Sequence, residues 1–146
     1  MIPVDKRPIA KEILQDSTIA HIAQAYFLVS KRLEQKTGCS ATRGFILSTL
    51  RGGASLNQNQ IAKLLDFDRT VVHRSVKRMI KEGLLAERKA ESGRALLVQL
   101  TAKGNKYREY LIKERRAVDE KLRKALKPGE IASLTRLLDI VAALKI

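Results

Sequence analysis

The sequence predicts a mainly α, α+β domain, and three observations carry that reading. Residues 57–104 read as two short helices joined by a tight turn, then a β-hairpin, then the start of a further helix. The second of those helices is apolar on one face and cationic on the other. The segments at 9–36 and 104–146 are helical in pattern and more apolar than a small three-helix core can cover. Together these predict a winged helix-turn-helix lobe at 40–103, within one 146-residue domain whose N- and C-terminal helices pair two copies of the chain.

The bulk numbers narrow the function classes. Hydrophobic residues make up 45% of the 146, enough for a core. The net charge of +14 favours a polyanionic partner, nucleic acid before an acidic membrane surface. The basic excess is spread along the chain: residues 68–94 hold eight basic and four acidic side chains, and residues 101–127 hold ten and four. A single cysteine, Cys39, excludes an internal disulfide and fits a reducing compartment. The first residues lack a signal-peptide apolar segment and no apolar run approaches membrane-spanning length, so a soluble, cytoplasmic protein is expected. With no Trp and only 4% aromatics, base-stacking platforms for single strands are not expected, and double-stranded DNA is the better target. Paired carboxylates, a nucleophile–base set, a P-loop and metal-ligand spacing are all lacking, which argues against an enzyme, a cofactor or a metal.

Taken in order, residues 1–8 hold two of the three prolines and read as a loose arm. Over 9–36, Ile13, Ile19, Ile22, Ala23, Tyr26, Phe27, Leu28, Val29 and Leu33 form a broad apolar surface on a helix that Gly38 stops. Ser40 or Thr42 caps the next helix, which carries Phe45, Ile46, Leu47 and Leu50 and ends at Arg51-Gly52-Gly53. Asn57 is the candidate N-cap of a helix over 58–65, where small Ala62 allows a close helix crossing. Asp66 tolerates the left-handed conformation that the following turn needs, and Asp68 can cap the second helix, 68 to about 82. Gly83 ends that helix. Strands at 84–90 and 95–100 flank a turn at 91–94, with Leu96, Val98 and Leu100 alternating as in a half-buried strand. Thr101 caps a long basic helix to about 127, stopped by Lys127-Pro128-Gly129. A last helix over 130–144 carries Ile131, Leu134, Leu137, Leu138, Val141, Ala142 and Leu144 on one stripe.

The cationic face is where contact with DNA is expected. Val72, Val76, Met79 and Ile80 face a core, while Thr70, Arg74, Lys77 and Lys81 recur on the opposite side, flanked by His73 and Arg78. Such a helix suits a DNA major groove. Arg74 is the candidate base reader, because a guanidinium can bond guanine O6 and N7 together; a phosphate contact is the plainer alternative. Thr70 and His73 lie near the helix start, within reach of base edges. Arg69, Lys77, Arg78 and Lys81 are expected to clamp phosphates rather than read bases. Arg94, after a Ser-Gly pair at the hairpin tip, suits a narrow A·T-rich minor groove. Arg88 and Lys89 are expected to touch phosphates. Gln58 and Gln60 can donate to the DNA backbone or simply cap their helix. The run Arg115-Arg116 and Arg123-Lys124 reads as a solvated face, His21 as a packed or interface histidine, and Cys39 as inert, with a reactive thiolate as its alternative.

The terminal helices would leave a wide exposed apolar patch on a monomer, which pairing about a two-fold axis covers. Two recognition helices would then read half-sites about one helical turn, roughly 10 bp, or a multiple of it apart.

The chain resembles the MarR family of transcriptional regulators. The resemblance rests on Gln60-Ile61-Ala62-Lys63-Leu64-Leu65, on Asp68-Arg69-Thr70-Val71-Val72 leading to Arg74, and on Lys81-Glu82-Gly83-Leu84-Leu85, Arg88 and Arg94. It ends in Val98-Gln99-Leu100-Thr101-Ala102-Lys103-Gly104 and extends to the flanking helices. It implies a homodimer that binds pseudo-palindromic promoter DNA, usually as a repressor. It also implies release by oxidation or by a small aromatic or anionic effector held between the dimer helices and the winged lobe. Three departures stand out. Ser92 occupies the place of a common wing Asp, for which Glu91 can substitute. Val71 and His73 replace small hydroxyl residues. Cys39 follows the first helix instead of sitting near its start, so the redox role does not carry over. The competing reading is a non-specific architectural DNA-coating protein, which the high charge also suits.

Overall fold

The computed structural model describes residues 17–146, which fall into two compact units, 17–45 and 46–146. The arm at 1–8 and the expected first turns of the leading helix, Ile13 included, lie outside the described residues.

In the first unit, α1 (Thr18–Thr37) begins at Ser17, whose Oγ accepts from Ala20 N at 3.1 Å. It ends at Gly38, left-handed at φ 71°, where the N–H donates to Glu34 O at 2.8 Å. The predicted glycine stop is thus borne out, and a Cβ there would be strained. Ile19, Tyr26, Phe27 and Val29 are all exposed on α1. His21 is exposed too, not packed, with Nδ1 2.9 Å from Ser17 O. Cys39 is buried, and its thiol donates to Ser40 O at 3.4 Å. Ser40, not Thr42, caps α2 (Ala41–Thr49), accepting from Arg43 N at 3.3 Å. From Ile46 onward, α2 belongs to the second unit.

The second unit continues through a 3-10 turn (Arg51–Gly53) to α3 (Gln58–Leu65) and α4 (Arg69–Lys81). Next come β1 (Leu85–Lys89), β2 (Leu96–Leu100), α5 (Ala102–Ala125) and α6 (Glu130–Ala142). Its core takes Ile46, Leu47 and Leu50 from α2 and its end, Ile61 from α3, Val72, Val76 and Met79 from α4, and Leu85 and Val98 from the hairpin; Val72, Val76, Met79 and Val98 lie on the faces the periodicities select. Phe67, Ile80, Leu100, Tyr107 and Leu111 pack around that set, so the start of α5 is part of the lobe.

The strands pair antiparallel, from Leu85 opposite Leu100 to Lys89 opposite Leu96. Leu56 adds a short third rung, exchanging backbone hydrogen bonds of 3.1 and 2.7 Å with Val98. The expected alternation holds only in part. Val98 is buried and Leu100 partly so, but Leu96 on the same face is 49% exposed, because its pair with Lys89 closes the outer end of the ladder, away from the core around Val98.

Thr101 caps α5, its Oγ1 accepting from Gly104 N at 3.0 Å. The helix stops at Ala125, about a half-turn before the expected 127, since Lys127 precedes Pro128 and the helical conformation is disfavoured there. Likewise α6 ends at Ala142 instead of 144. Its Leu134, Leu137, Leu138 and Ile140 remain between 38% and 51% exposed, far above what a finished core leaves open. No helix among the described residues is long and apolar enough to cross a membrane.

Candidate nucleic-acid interface

The two helices of the reading unit are set against each other by short-range hydrogen bonds. Asn57 opens α3 with a reciprocal cap: its Oδ1 accepts from Gln60 N at 2.8 Å, and Gln60 Oε1 accepts from Asn57 N at 2.9 Å. Gln60 therefore uses its side-chain carbonyl for capping, one of the two roles the sequence leaves open. At the other end, Phe67 N donates to Ala62 O at 2.9 Å and Asp66 N to Lys63 O at 3.4 Å, with Asp66 left-handed at φ 53°. An aspartate tolerates that backbone better than a β-branched residue would. Asp68 then caps α4, Oδ1 accepting from Thr70 N at 2.7 Å. With only Asp66 and Phe67 between α3 and the Asp68 cap, the crossing has little freedom, and buried Ala62 lets the helices approach.

Hydrogen bonding to Thr70 N–H, and secondarily to its hydroxyl, holds the Asp68 carboxyl below its usual range. The folded-state value is depressed, so this cap stabilises the lobe above the unfolded carboxyl value and is lost as pH falls through the folded one. Asp68→Ala is therefore expected to lower the urea midpoint at neutral pH, with the gap to wild type closing in strong acid. Asp68→Asn, which keeps an acceptor, is expected to retain much of the neutral-pH stability. A gap for the alanine variant that stays constant down to strong acid would rule the carboxylate out as the source.

On α4, Val72, Val76 and Met79 are fully buried, while Arg69, Thr70, His73, Arg74, Lys77, Arg78 and Lys81 are all exposed. The expected division of faces holds. Their bonding separates them further. His73 Nδ1 lies 3.0 Å from Gln58 Oε1, tying the recognition helix to the first turn of α3. Arg78 pairs with Glu82 at 3.5 Å across one helical turn, an exposed contact of small energetic weight. The side chains of Arg69, Arg74, Lys77 and Lys81 make no hydrogen bond or ion pair with another described residue, leaving their charges to solvent or a ligand. Val71, 41% exposed, is the apolar exception on this surface.

The C-terminal end of α4 is held by groups to which the sequence reading assigned no such role. Lys103 Nζ donates to Glu82 O at 2.8 Å, placing a cation at the negative end of the helix. Thr101 Oγ1 lies 2.6 Å from Gly83 O and 3.2 Å from Leu84 O. Beyond Leu84 the hairpin projects to its turn at 91–94, where Ala90 N donates to Ala95 O at 2.9 Å and Arg94 is exposed at the tip. Arg88, expected at phosphates, is exposed and turns along the sheet: Nε donates to Gln99 Oε1 at 3.2 Å and Nη2 to Ser55 Oγ at 3.3 Å. The sequence assigns Ser55 and Gln99 no role in the site, because the rung that brings them together is a single residue pair with no strand pattern of its own.

Comparison with known proteins agrees with this architecture. Residues 38–95 match the model of the MarR family. A probable transcriptional regulator from Pseudomonas aeruginosa superposes with a TM-score of 0.78 at 25% identity, over 88% of this chain and 98% of that one. A mutant MarR from E. coli, complexed with operator DNA, gives 0.74 at 20% identity, over 89% and 97%. BpsR from Bordetella bronchiseptica, described for regulation of its DNA binding by 6-hydroxynicotinic acid, gives 0.70 at 20% identity, over 85% and 98%. No curated protein matches the chain in sequence.

Proposed function

We propose that the chain, which matches the MarR family model over residues 38–95, is a winged helix-turn-helix, DNA-binding transcriptional regulator of that family and not an enzyme, acting as a cytoplasmic, homodimeric repressor of a pseudo-palindromic operator. The observation that carries the proposal is the recognition helix: its apolar face is fully buried, and four of its cations have no partner among the described residues. Thr70, His73 and Arg74 face base edges in the major groove. Arg69, Lys77, Arg78 and Lys81 neutralise phosphates, and Arg94 enters the minor groove. Phosphate contacts supply most of the affinity and the helix supplies specificity.

The dimer follows from apolar surface. The exposed leucines of α6 and the exposed Tyr26 and Phe27 of α1 are covered by the same helices of a second copy, which fixes the separation of two recognition helices. By analogy with BpsR, a small aromatic, anionic effector lowers operator affinity by favouring a dimer with a different spacing. Titrating phenolic carboxylates into the operator complex tests that step; unchanged affinity across the set removes it.

The decisive experiment selects bound fragments from genomic DNA and compares their affinity with random DNA at matched salt. A shared inverted repeat bound well above random sequence is the expected result. Equal affinity would replace this reading with an architectural, DNA-coating role, which the net charge of +14 also suits.

A further inference from the structure

Arg88, Gln99 and Ser55 form a closed ring of hydrogen bonds on one face of the sheet. Arg88 Nε donates to Gln99 Oε1 at 3.2 Å, Arg88 Nη2 donates to Ser55 Oγ at 3.3 Å, and the Ser55 hydroxyl donates to Gln99 Oε1 at 3.1 Å. The register explains why they meet. Arg88 pairs with Leu97, so Gln99 is its diagonal neighbour on the same face. The Leu56–Val98 rung sets Ser55 beside Gln99 from the other side. The ring thus joins both strands and the Leu56 bridge, with a guanidinium spanning from β1 over β2 to the segment that leads into α3.

This position has mechanical leverage. A two-stranded hairpin alone is marginal in water, and this one depends on its root for a direction. From Arg88 to the turn is about four residues, roughly 13 Å at strand rise. A tilt of about 20° at the ring would move the tip by about 4 Å, comparable to the ~6 Å width of the minor groove. Whatever fixes the root therefore decides whether Arg94 reaches the groove.

We propose that Arg88 is a positioning residue for the wing: with Gln99 and Ser55 it sets the angle at which Arg94 meets DNA, and it does not itself neutralise a phosphate. The proposal rests on Arg94 as the wing's DNA contact. It predicts that neutral residues in the ring matter as much as the charged one. In the full chain, Arg94→Ala is expected to weaken binding to a selected fragment by about tenfold and to erase a preference for A·T-rich over G·C-rich flanks. Gln99→Ala, which removes no charge, is expected to lose most of the same preference and several-fold in affinity. Arg88→Lys, which keeps the charge but not the fork, should match it. Adding Gln99→Ala to Arg94→Ala should cost nothing more, since the two act through one contact.

A readout in the free protein separates the ring from the DNA reading. The Arg88 Nε–H resonance is expected to be slow to exchange with solvent and to lose that protection in Gln99→Ala, with the thermal transition of the variant confirming that it folds. Wild-type binding by Gln99→Ala and Arg88→Lys, together with Arg88→Ala weakening all sequences alike and lowering the salt slope by ~1, would make Arg88 a phosphate contact and overturn the proposal. Wild-type binding by Arg94→Ala also overturns it; a protected Arg88 Nε–H in that case locates the failure in the wing's contact with DNA and not in the ring.

Discussion

Gly104→Ala is expected to destabilise the winged lobe by about 3 kcal/mol or more, lowering the thermal midpoint by roughly 10 °C. The reason is a close approach. A Cβ on Gly104 would stand 2.0 Å from Leu84 O, 3.0 Å from Leu84 C and 3.2 Å from Leu100 Cδ2. The obstacle is backbone, so no rotamer change relieves it. Moving the start of α5 away would stretch Thr101 N to Leu84 O, now 3.1 Å, and the Thr101 and Lys103 side-chain bonds to Gly83 O and Glu82 O. Those bonds hold the end of the recognition helix, so DNA affinity should fall along with stability. The sign of the effect makes the test sharp. In an ordinary helix, replacing glycine with alanine stabilises by up to about 1 kcal/mol. Urea and thermal unfolding of Gly104→Ala decide the matter, and a variant as stable as wild type, or more so, would falsify the close approach.

Gly104 also marks the boundary between what the sequence discloses and what it withholds. Features written within a few residues were readable in advance. Asn57 as a cap, Asp66 as a left-handed turn residue, Asp68 as the cap of α4 and Gly38 as a helix stop each depend on local backbone chemistry, and the structure has all four. The core was readable too, because Val72, Val76 and Met79 repeat at helical spacing. Interactions between distant segments were not. The packing of Gly104 against Leu84, the Lys103 bond to Glu82 O and the Arg88 ring each join residues separated by many positions, and no periodicity encodes them. For Arg88 the sequence displays only a charge on a strand beside a basic helix; that it bonds along the sheet to Ser55 depends on a rung made by Leu56 alone. Leu96 shows a related limit, since alternation reveals a strand's two faces but not how far along it the core extends.

Arg74→Ala and Lys77→Ala are expected to weaken DNA binding in different ways, and the contrast tests the division of labour on α4. Both side chains are exposed opposite the buried valines, and neither bonds to another described residue. They differ in chemistry. The Arg74 guanidinium has a rigid fork that can bond O6 and N7 of one guanine, an arrangement that only that base presents, whereas the Lys77 ammonium is a point charge that any phosphate satisfies. His73 beside Arg74 is held to Gln58, which leaves Arg74, one turn into the helix, as an unengaged long donor beside it. Arg74→Ala should therefore cost ~1–3 kcal/mol per half-site on the preferred sequence, a factor of roughly 5 to 150, and much less on sequences altered at the contacted pair. Lys77→Ala should weaken every sequence by the same factor and reduce the slope of log affinity against log salt by ~1 per half-site. Titrating both variants against a panel of single-pair operator substitutions, each over a salt series, gives the two signatures independently. If Arg74→Ala keeps the wild-type order of preference across the panel, the base reader is elsewhere on the helix, and exposed Val71, suited to a thymine methyl, is the residue to substitute next.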